Sequence, residues 1–501
     1  MELVFEQQQL SSLRRTAHLS LAQAEMQEII IPDSMPDAAR ALICYAQPEM
    51  QSKTVRAGSL LVTGALRAAC LYAAEDGTPQ LLTANLPFAA KLESPELSES
   101  AQTSAQITVR SADCRLINSR KVLLRVNVLA QADGYESETQ TVSTLTDAPG
   151  CLQTKTQTYA ERVPVELSER AFQMSEELEL PEGRAPVDRV IDVSVQPVVT
   201  ERNIVGSKAV MKGGVHLRLT YFDAEGRVQT MQLTAPFSQY CQLQTDYDGD
   251  ETLGLTLCVT GVQLEPVTSG ASQKLLFGAG ILMQCTVCAR REVSVVCDAY
   301  TTKGAFTPQW QEQTRLMRLD EQTLREPLRQ TCSVPAAAVL DCRVYPDACA
   351  LERADDGVTV HVPLCADLLY TDAAGAVQAE RVHTEVSCHT ALCETGVCEA
   401  SVQLTPESYA SAAGGAVELH CDALLTLETF CTQTLKTLAG GTLEPAARAS
   451  QRPSAVICRT QTRQELWTLA KRYGTTAHAI ETANHLTQPE VEAGRLLLIP
   501  M

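Results

Sequence analysis

Nothing in this 501-residue chain reads as a reaction centre. It has no Gly-x-Ser-x-Gly elbow, no phosphate-cradling loop and no Gly-x-Gly-x-x-Gly run. The eight histidines are scattered, and none falls in a recognisable nucleophile–base arrangement. No apolar run approaches the ~18–20 residues of a membrane span. Met1 to Leu21 carries Glu2, Glu6, Arg14 and Arg15 without an apolar core, unlike a secretion leader. The expectation is a non-enzymatic, cytoplasmic protein with no transmembrane segment.

Apparent metal motifs fail on geometry. Cys285-Thr286-Val287-Cys288 is the only Cys-x-x-Cys, and its surroundings read as strand, where positions i and i+3 face opposite ways. Cys388, His389, Cys393, Cys398 and His420 are dense in sequence, but Cys388 and His389 would also oppose each other on a strand. Asp246, Asp248 and Asp250 suggest a calcium loop, yet its twelfth position is Leu257 rather than Glu. A solvated acidic turn is the better reading. No cofactor or metal is expected.

The bulk composition is that of a folded, acidic protein. Apolar residues make up 45% and charged residues 20%, which argues against wholesale disorder. Net charge is −19, so a polyanion would be repelled and nucleic acid is not expected as a partner. From Pro453 onward there are five Lys/Arg and four Asp/Glu, so the acid lies on the preceding body. The odd count of 19 cysteines does not suggest a disulfide framework. In a reducing compartment they act as small buried hydrophobes.

Most of the chain is internally repeated. Tyr-x4-Gly-x2-Gln occurs at Tyr72, Gly77 and Gln80, at Tyr221, Gly226 and Gln229, and at Tyr370, Gly375 and Gln378. Successive copies are 149 residues apart. Pro87-Phe88 and Pro236-Phe237 keep that register, as do Pro32 and Pro181, while Glu385-Val386 stands in the Pro-Phe slot of the third copy. Each segment reads as a β-hairpin, with turns at Glu75-Asp76-Gly77, Asp223 to Gly226 and Asp372 to Gly375. Val215, Leu217, Leu219 and Tyr221 alternate as in a half-buried strand, with His216, Arg218 and Thr220 facing the other way. Turns at ~8–12-residue spacing fit sandwiches or barrels. The fold class is therefore mainly β, with three tandem sandwich- or barrel-like repeats at 1–149, 150–298 and 299–447. The stretch from Gly440 to Pro453, rich in Gly, Ala, Arg and Pro, reads as a linker, with the linker assigned to 448–455 between the third repeat and the last unit.

The last stretch, 456–501, reads as a compact βααβ unit. Thr462-Arg463-Gln464-Glu465 has capping-box spacing. Leu466, Leu469, Ala470 and Tyr473 then line one helical face, and Gly474 suits a left-handed cap. Thr475 or Thr476 can cap a second helix that turns Ile480 and Ala483 inward. Leu496 to Ile499 is a strand stopped by Pro500.

Leu466-Trp467-Thr468-Leu469-Ala470-Lys471-Arg472-Tyr473-Gly474, Asn484-His485-Leu486 and Gly494 to Pro500 make this stretch resemble a LysM domain. The resemblance implies a shallow N-acetylglucosamine-binding groove at Thr462, Arg463, Gln464, Asn484, His485 and Leu486. It implies a core of Leu466, Trp467, Tyr473 and Ile480. Where that family has Pro-Gly-Asp-Thr, this chain has Thr462 to Glu465. Loss of the turn glycine and the aspartate favours a protein ligand over a sugar.

Pro32-Asp33-Ser34-Met35-Pro36-Asp37-Ala38-Ala39-Arg40, Gly64 to Tyr72, Pro87-Phe88 and Asn118 to Val122 resemble the SPOCS domain, a spore-coat-associated family. The likeness is fullest in the first copy and thinnest in the third. In the first, Asp37 is placed to cap a short helical turn. SPOCS-like copies followed by one LysM are the layout of clostridial spore morphogenetic proteins. That resemblance implies a mother-cell scaffold at the forespore surface whose LysM contacts a coat morphogenetic ATPase or another coat protein. Peptidoglycan is the alternative partner.

Overall fold

A computed structural model describes residues 4–147, 149–269, 272–391, 396–444 and 453–501. The first unit holds β1 (Val4–Ile30), β2 (Ala38–Arg56), β3 (Ser59–Ala74), β4 (Pro79–Glu93), β5 (Gln102–Asn118) and β6 (Lys121–Asp147). They form two antiparallel sheets, β1-β6-β5 and β2-β3-β4. The second unit holds β7 (Leu152–Glu179), β8 (Arg189–Phe222), β9 (Val228–Tyr247), β10 (Thr252–Ser269) and β11 (Ser272–Thr301). Its order is β7-β11-β10 and β8-β9. The two halves of β8 lie side by side about Gly206 (φ +57°), with the Thr200 hydroxyl donating to the Lys212 carbonyl (3.3 Å). The second sheet thus has the same three passes as β2-β3-β4.

The third unit holds β12 (Ala305–Cys332), β13 (Ala338–Pro346), β14 (Ala350–Ala354), β15 (Gly357–Thr371), β16 (Val377–Thr390), β17 (Val397–Leu404), β18 (Tyr409–Ala413) and β19 (Ala416–Glu444). Here β13 and β14 share one edge of β15, and β17 and β18 share one edge of β19. The order is otherwise unchanged. The tail folds as β20 (Ala455–Arg459), β21 (Gln464–Glu465), α1 (Leu466–Tyr473), α2 (Ala477–Asn484), β22 (Glu490–Val491) and β23 (Leu496–Pro500), with β20 pairing β23 and β21 pairing β22.

The repeated residues hold equivalent places. Gly77, Gly226 and Gly375 have φ of +85°, +75° and +80° and close the same turn, each donating its N–H three residues back. The glutamine three residues on closes that turn from outside. Gln229 and Gln378 donate to Asp223 and Asp372 (3.1 and 2.9 Å), whose other carboxylate oxygen takes two backbone N–H groups. In the first copy Asp76 and Thr78 do this work. Tyr72 and Tyr221 are fully buried, and each hydroxyl donates to a carbonyl 36 residues upstream, Pro36 and Ala185 (both 2.9 Å). That contact fixes the Pro-punctuated segment onto the hairpin. Phe88, Phe237 and Val386 all enter cores, so the drifted third slot is still apolar.

Three expectations are corrected. Asp37 caps no helix; it accepts from Arg120 and Ser119 (both 2.9 Å), and Arg120 also donates to Met35 O and Asp33. The charge-assisted contact outcompetes a local turn. Gly440 and Gly441 are not linker but the last turns of β19's ladder, opposite Gln309 and Pro308. A Cβ on Gly441 would strike the Phe306 ring, which is why glycine stands there. The linker's continuation through Arg452 lies outside the described residues. Finally, the strand from Val215 to Tyr221 alternates as expected through His216 and Arg218, which are partly buried, but Thr220 on that second face is as inaccessible as Tyr221.

That second face is covered because the units close on one another. Arg67 of the first donates to Val193 O of the second (2.5 Å). Arg218 of the second donates to Cys342 O of the third (2.7 Å). Arg381 of the third donates to Ala112 O of the first (2.8 Å). Near the centre Leu42, Ile191 and Leu340, one from each copy at 149-residue spacing, share a core with Leu71 and Leu369. Beside them lies a buried ionic group. Asp341 accepts from Arg343 Nε (3.0 Å) and Thr220 (3.0 Å) and sits 3.4 Å from Arg218, while Asp192 lies 3.2 Å from Arg343. Burial alone would raise the Asp341 carboxyl, but Arg343 and Arg218 outweigh it and hold it below its ordinary value. For Asp192 burial wins and the value is raised.

Removing Asp341 leaves Arg218 without its buried carboxylate and Arg343 with Asp192 alone. Asp341→Ala should destabilise the chain by ~3–5 kcal/mol, read from the urea midpoint. Because the folded value is depressed, the Asp341 contribution is present above about pH 4 and fades as pH falls through the lowered value. The difference between wild type and Asp341→Ala should shrink there.

Candidate functional site

The terminal module is small and its two helices are short, so their ends carry much of its structure. Gly474 caps α1 in the left-handed region (φ +66°), its N–H donating to Ala470 O, and Lys471 and Arg472 complement the helix dipole. Thr476 caps α2, accepting from Ala479 N (3.1 Å). The capping box does not form. Glu465, the residue before α1, makes no side-chain cap, because Gln464 and Glu465 are drawn into a two-residue ladder with Val491 and Glu490. Glu465 instead reaches Lys155 of β7 (2.6 Å). The side chain that organises this loop is Thr460, 3% exposed, which donates to Glu492 O (2.6 Å) and accepts from Arg495 N (3.0 Å). Its place ahead of the Pro-Gly-Asp-Thr slot gave no signal in the sequence.

The six groove residues fall in two stretches, Thr462 to Gln464 leading into β21 and Asn484 to Leu486 at the end of α2, and are not equally available. Thr462 and Arg463 are exposed. Arg463 spans to Glu490 on β22 (2.5–2.7 Å). Gln464 is half-buried, held by the β21–β22 ladder, and its Nε2 donates to Thr462 (3.3 Å). Asn484 is fully engaged: its amide donates to Ile480 O (2.8 Å) and Leu498 O (2.6 Å), and its carbonyl accepts from Leu498 N (2.7 Å). It ties α2 to β23. His485 is the left-handed cap of α2 (φ +51°) with its ring in solvent, and Leu486 packs back on the module core.

Of the four expected core residues, Leu466 and Ile480 are fully enclosed, while Trp467 and Tyr473 lie at the core's rim. Trp467 looks outward to the second unit. Its indole N–H donates to Asp298 (2.8 Å), and its ring meets Tyr300 edge-on, centroids 4.9 Å apart. Lys471 donates to the other Asp298 oxygen (2.6 Å), and Tyr300 donates to Thr475 O (2.8 Å) while belonging to the module's own core. Burial would raise the Asp298 carboxyl, but donation from Lys471 and Trp467 overrides it and the net value is lowered. Burial pushes the Tyr300 hydroxyl up to about 12. The module is thus seated on the end of β11. Nothing in the sequence pairs residues 298 and 300 with 467, since they lie some 170 positions apart.

The suspected metal residues do not converge. Cys285 is in the second unit's core, whereas Cys288 lies at the border with the third, near Arg318 and Glu321. Cys388 donates to Glu326 and His420 stacks on Tyr409, while Cys393 lies outside the described residues. Among the described residues no group of three or more His, Cys, Asp or Glu is placed to hold a metal. No described helix is long and apolar enough to cross a membrane.

Two family models match the chain. Residues 186–263 match the SPOCS domain of SipL, and residues 462–500 match the LysM domain. The first match covers β8, β9 and most of β10, in the second repeat rather than the first, where the sequence resemblance is fullest. Neither family is catalytic. Both are similarities of parts of the chain, to a sporulation-protein domain in the second repeat and to a module of the peptidoglycan-binding class in the tail. More particularly, the chain joins a SipL-type SPOCS domain to a C-terminal LysM domain. No curated protein and no solved structure matches it significantly.

If Asp298 seats the module, Asp298→Asn should weaken that seat by ~1–2 kcal/mol, the scale of a partly exposed charge-assisted contact. Hydrogen exchange should then rise in α1 and at Tyr300 with the sheets unaffected. Since the Asp298 value is lowered in the seated state, the contribution holds above about pH 4 and is lost as pH falls through the lowered value.

Proposed function

We propose that this protein is a non-enzymatic scaffold of spore-envelope assembly. Three SPOCS-like repeats, with boundaries near 149, 298 and 447, form its acidic body at the forespore surface in the mother cell. The LysM module recruits a coat morphogenetic protein, an ATPase of the coat basement by resemblance. The observation that carries the choice of a protein ligand is the state of the sugar groove. Asn484 spends its amide on Ile480 and Leu498, and Arg463 is paired with Glu490. Together with the missing turn glycine and aspartate, this leaves few free polar groups to hold an N-acetyl sugar. The second reading, peptidoglycan binding, is favoured by the LysM match itself.

Two assays on the full chain and on a chain ending at 452 separate these readings. In the first, purified coat-basement ATPase is captured by the full chain, the shortened chain loses that capture, and neither chain sediments with purified peptidoglycan. Arg463→Ala, whose side chain is exposed, should reduce capture several-fold if the groove takes part. Saturable sedimentation with peptidoglycan, lost on shortening and unaccompanied by ATPase capture, would reverse the assignment.

A further inference from the structure

The outward faces of the long sheets are not alike in the three units. In the first, Val122, Leu124 and Val126 of β6 point into the core, so Lys121, Leu123 and Arg125 point out. Opposite them on β1 stand Ile30, Glu28 and Met26, and on β5 stand Arg115 and Asp113. A bulge at the end of β5 turns Ile117 out beside them. Ile30 is 72% exposed and Met26 58%, and Ile117 is exposed as well. Glu28 is spent on Lys121, and Asp113 is turned to Arg381 of the third unit. Arg115 and Arg125 are exposed and form no ion pair among the described residues.

The corresponding face of the second unit is also partly apolar but has the opposite charge. Leu275 and Phe277 of β11 are core, so Lys274 and Leu276 point out. Beside them are Glu177 and Glu179 on β7, and Glu265 and Val267 on β10. Leu276 and Val267 are exposed. Lys274 is taken by Glu177, which leaves Glu179 and Glu265 exposed without an ion pair among the described residues. The third unit's matching sheet has neither feature: Arg325 is paired with Asp422, and Tyr409 is stacked on His420. Aliphatic side chains are thus set among unpaired cations on one face and among unpaired anions on the other.

We propose that the first unit's outward face docks on the second unit's outward face of another copy of this chain, head to tail. Exposed aliphatic side chains rimmed by charge mark association surfaces, and opposite charge decides which surface meets which. Each face repels its own kind, so a contact of like with like is disfavoured. A foreign anionic partner would use the first face and leave the second without a role, whereas a second copy uses both. The two faces lie on different units, so the contact is heterologous. It leaves one face of each kind open and grows into a ring or a chain of copies. It involves no residue of the LysM module and does not depend on what that module binds.

The test is sedimentation velocity of the full chain across the micromolar range, at low and at high salt. The weight-average mass should rise about two-fold or more with concentration at low salt and fall back toward the monomer at high salt. Arg115→Glu combined with Arg125→Glu should stay monomeric where wild type associates, and so should Glu179→Arg combined with Glu265→Arg. All four side chains are exposed, so the fold tolerates the changes. An equimolar mixture of the two variants should associate again, because the reversed face of each now matches the reversed face of the other. The proposal is overturned if wild type stays monomeric, if either variant alone associates as wild type does, or if the mixture stays monomeric.

Discussion

A main-chain carbonyl at the border of a sheet must find a donor once another sheet is laid over it, and this requirement governs how the body is built. Each unit lends an arginine to a carbonyl of the next: Arg67 to Val193, Arg218 to Cys342, Arg381 to Ala112. Val193 and Cys342 are equivalent positions, 149 residues apart. Guanidinium suits the task because its planar fork satisfies a carbonyl and a neighbouring carboxylate together. Arg218 does so with Cys342 O and Asp341, and Arg381 with Ala112 O and Asp367. The relation runs one to two, two to three and three to one, so the three units form a closed set.

A closed set of copies cannot stay identical inside. At the centre, equivalent side chains from three copies crowd one region, where three like charges would repel and three large residues would clash. The copies have diverged where they meet. Positions 43, 192 and 341 are Ile, Asp and Asp, and positions 45, 194 and 343 are Tyr, Ser and Arg. The turn glycine, its glutamine and the buried tyrosine are nevertheless kept in all three, even though Gln378 also accepts from Arg40 of the first unit. The same logic accounts for Gly64 and Gly213. A Cβ on either would strike the neighbouring pass at Glu49 O or Val198 O. The equivalent third position is Val362, where β13 has already ended at Pro346.

This division explains what could be read from the chain alone. Features set by short-range chemistry were legible: the hairpins at 149-residue spacing, Gly474 closing α1, Thr476 opening α2, and the alternation from Val215 to Tyr221. Local signals failed where a distant partner outbid them. Thr462 and Glu465 have capping-box spacing, but β22 takes the backbone and Lys155 takes the carboxylate. Asp37 has a capping position, but Arg120 claims it from 83 residues away. The second face of β8 looks solvent-bound until the third unit is in place. The polar residues of the LysM groove are legible as types, yet nothing in their spacing shows that Asn484 is spent on β23.

The docking of the terminal module adds a constraint on how it can work. Ten residues separate the end of β19 at Glu444 from the start of β20 at Ala455. A tether that short keeps the module at a high local concentration, in the millimolar range. Contacts worth only a few kcal/mol are then enough to keep it seated, and the Trp467, Lys471 and Tyr300 set is of that scale. A partner that grips the Trp467 face must first displace Asp298 and Tyr300, and its affinity is reduced by the seated fraction. A partner that uses the opposite side, where Ile457 and Leu498 stand across from each other on β20 and β23 and remain exposed, meets no such competition. Occupancy of the seat therefore decides which face of the module is open to the outside at any moment.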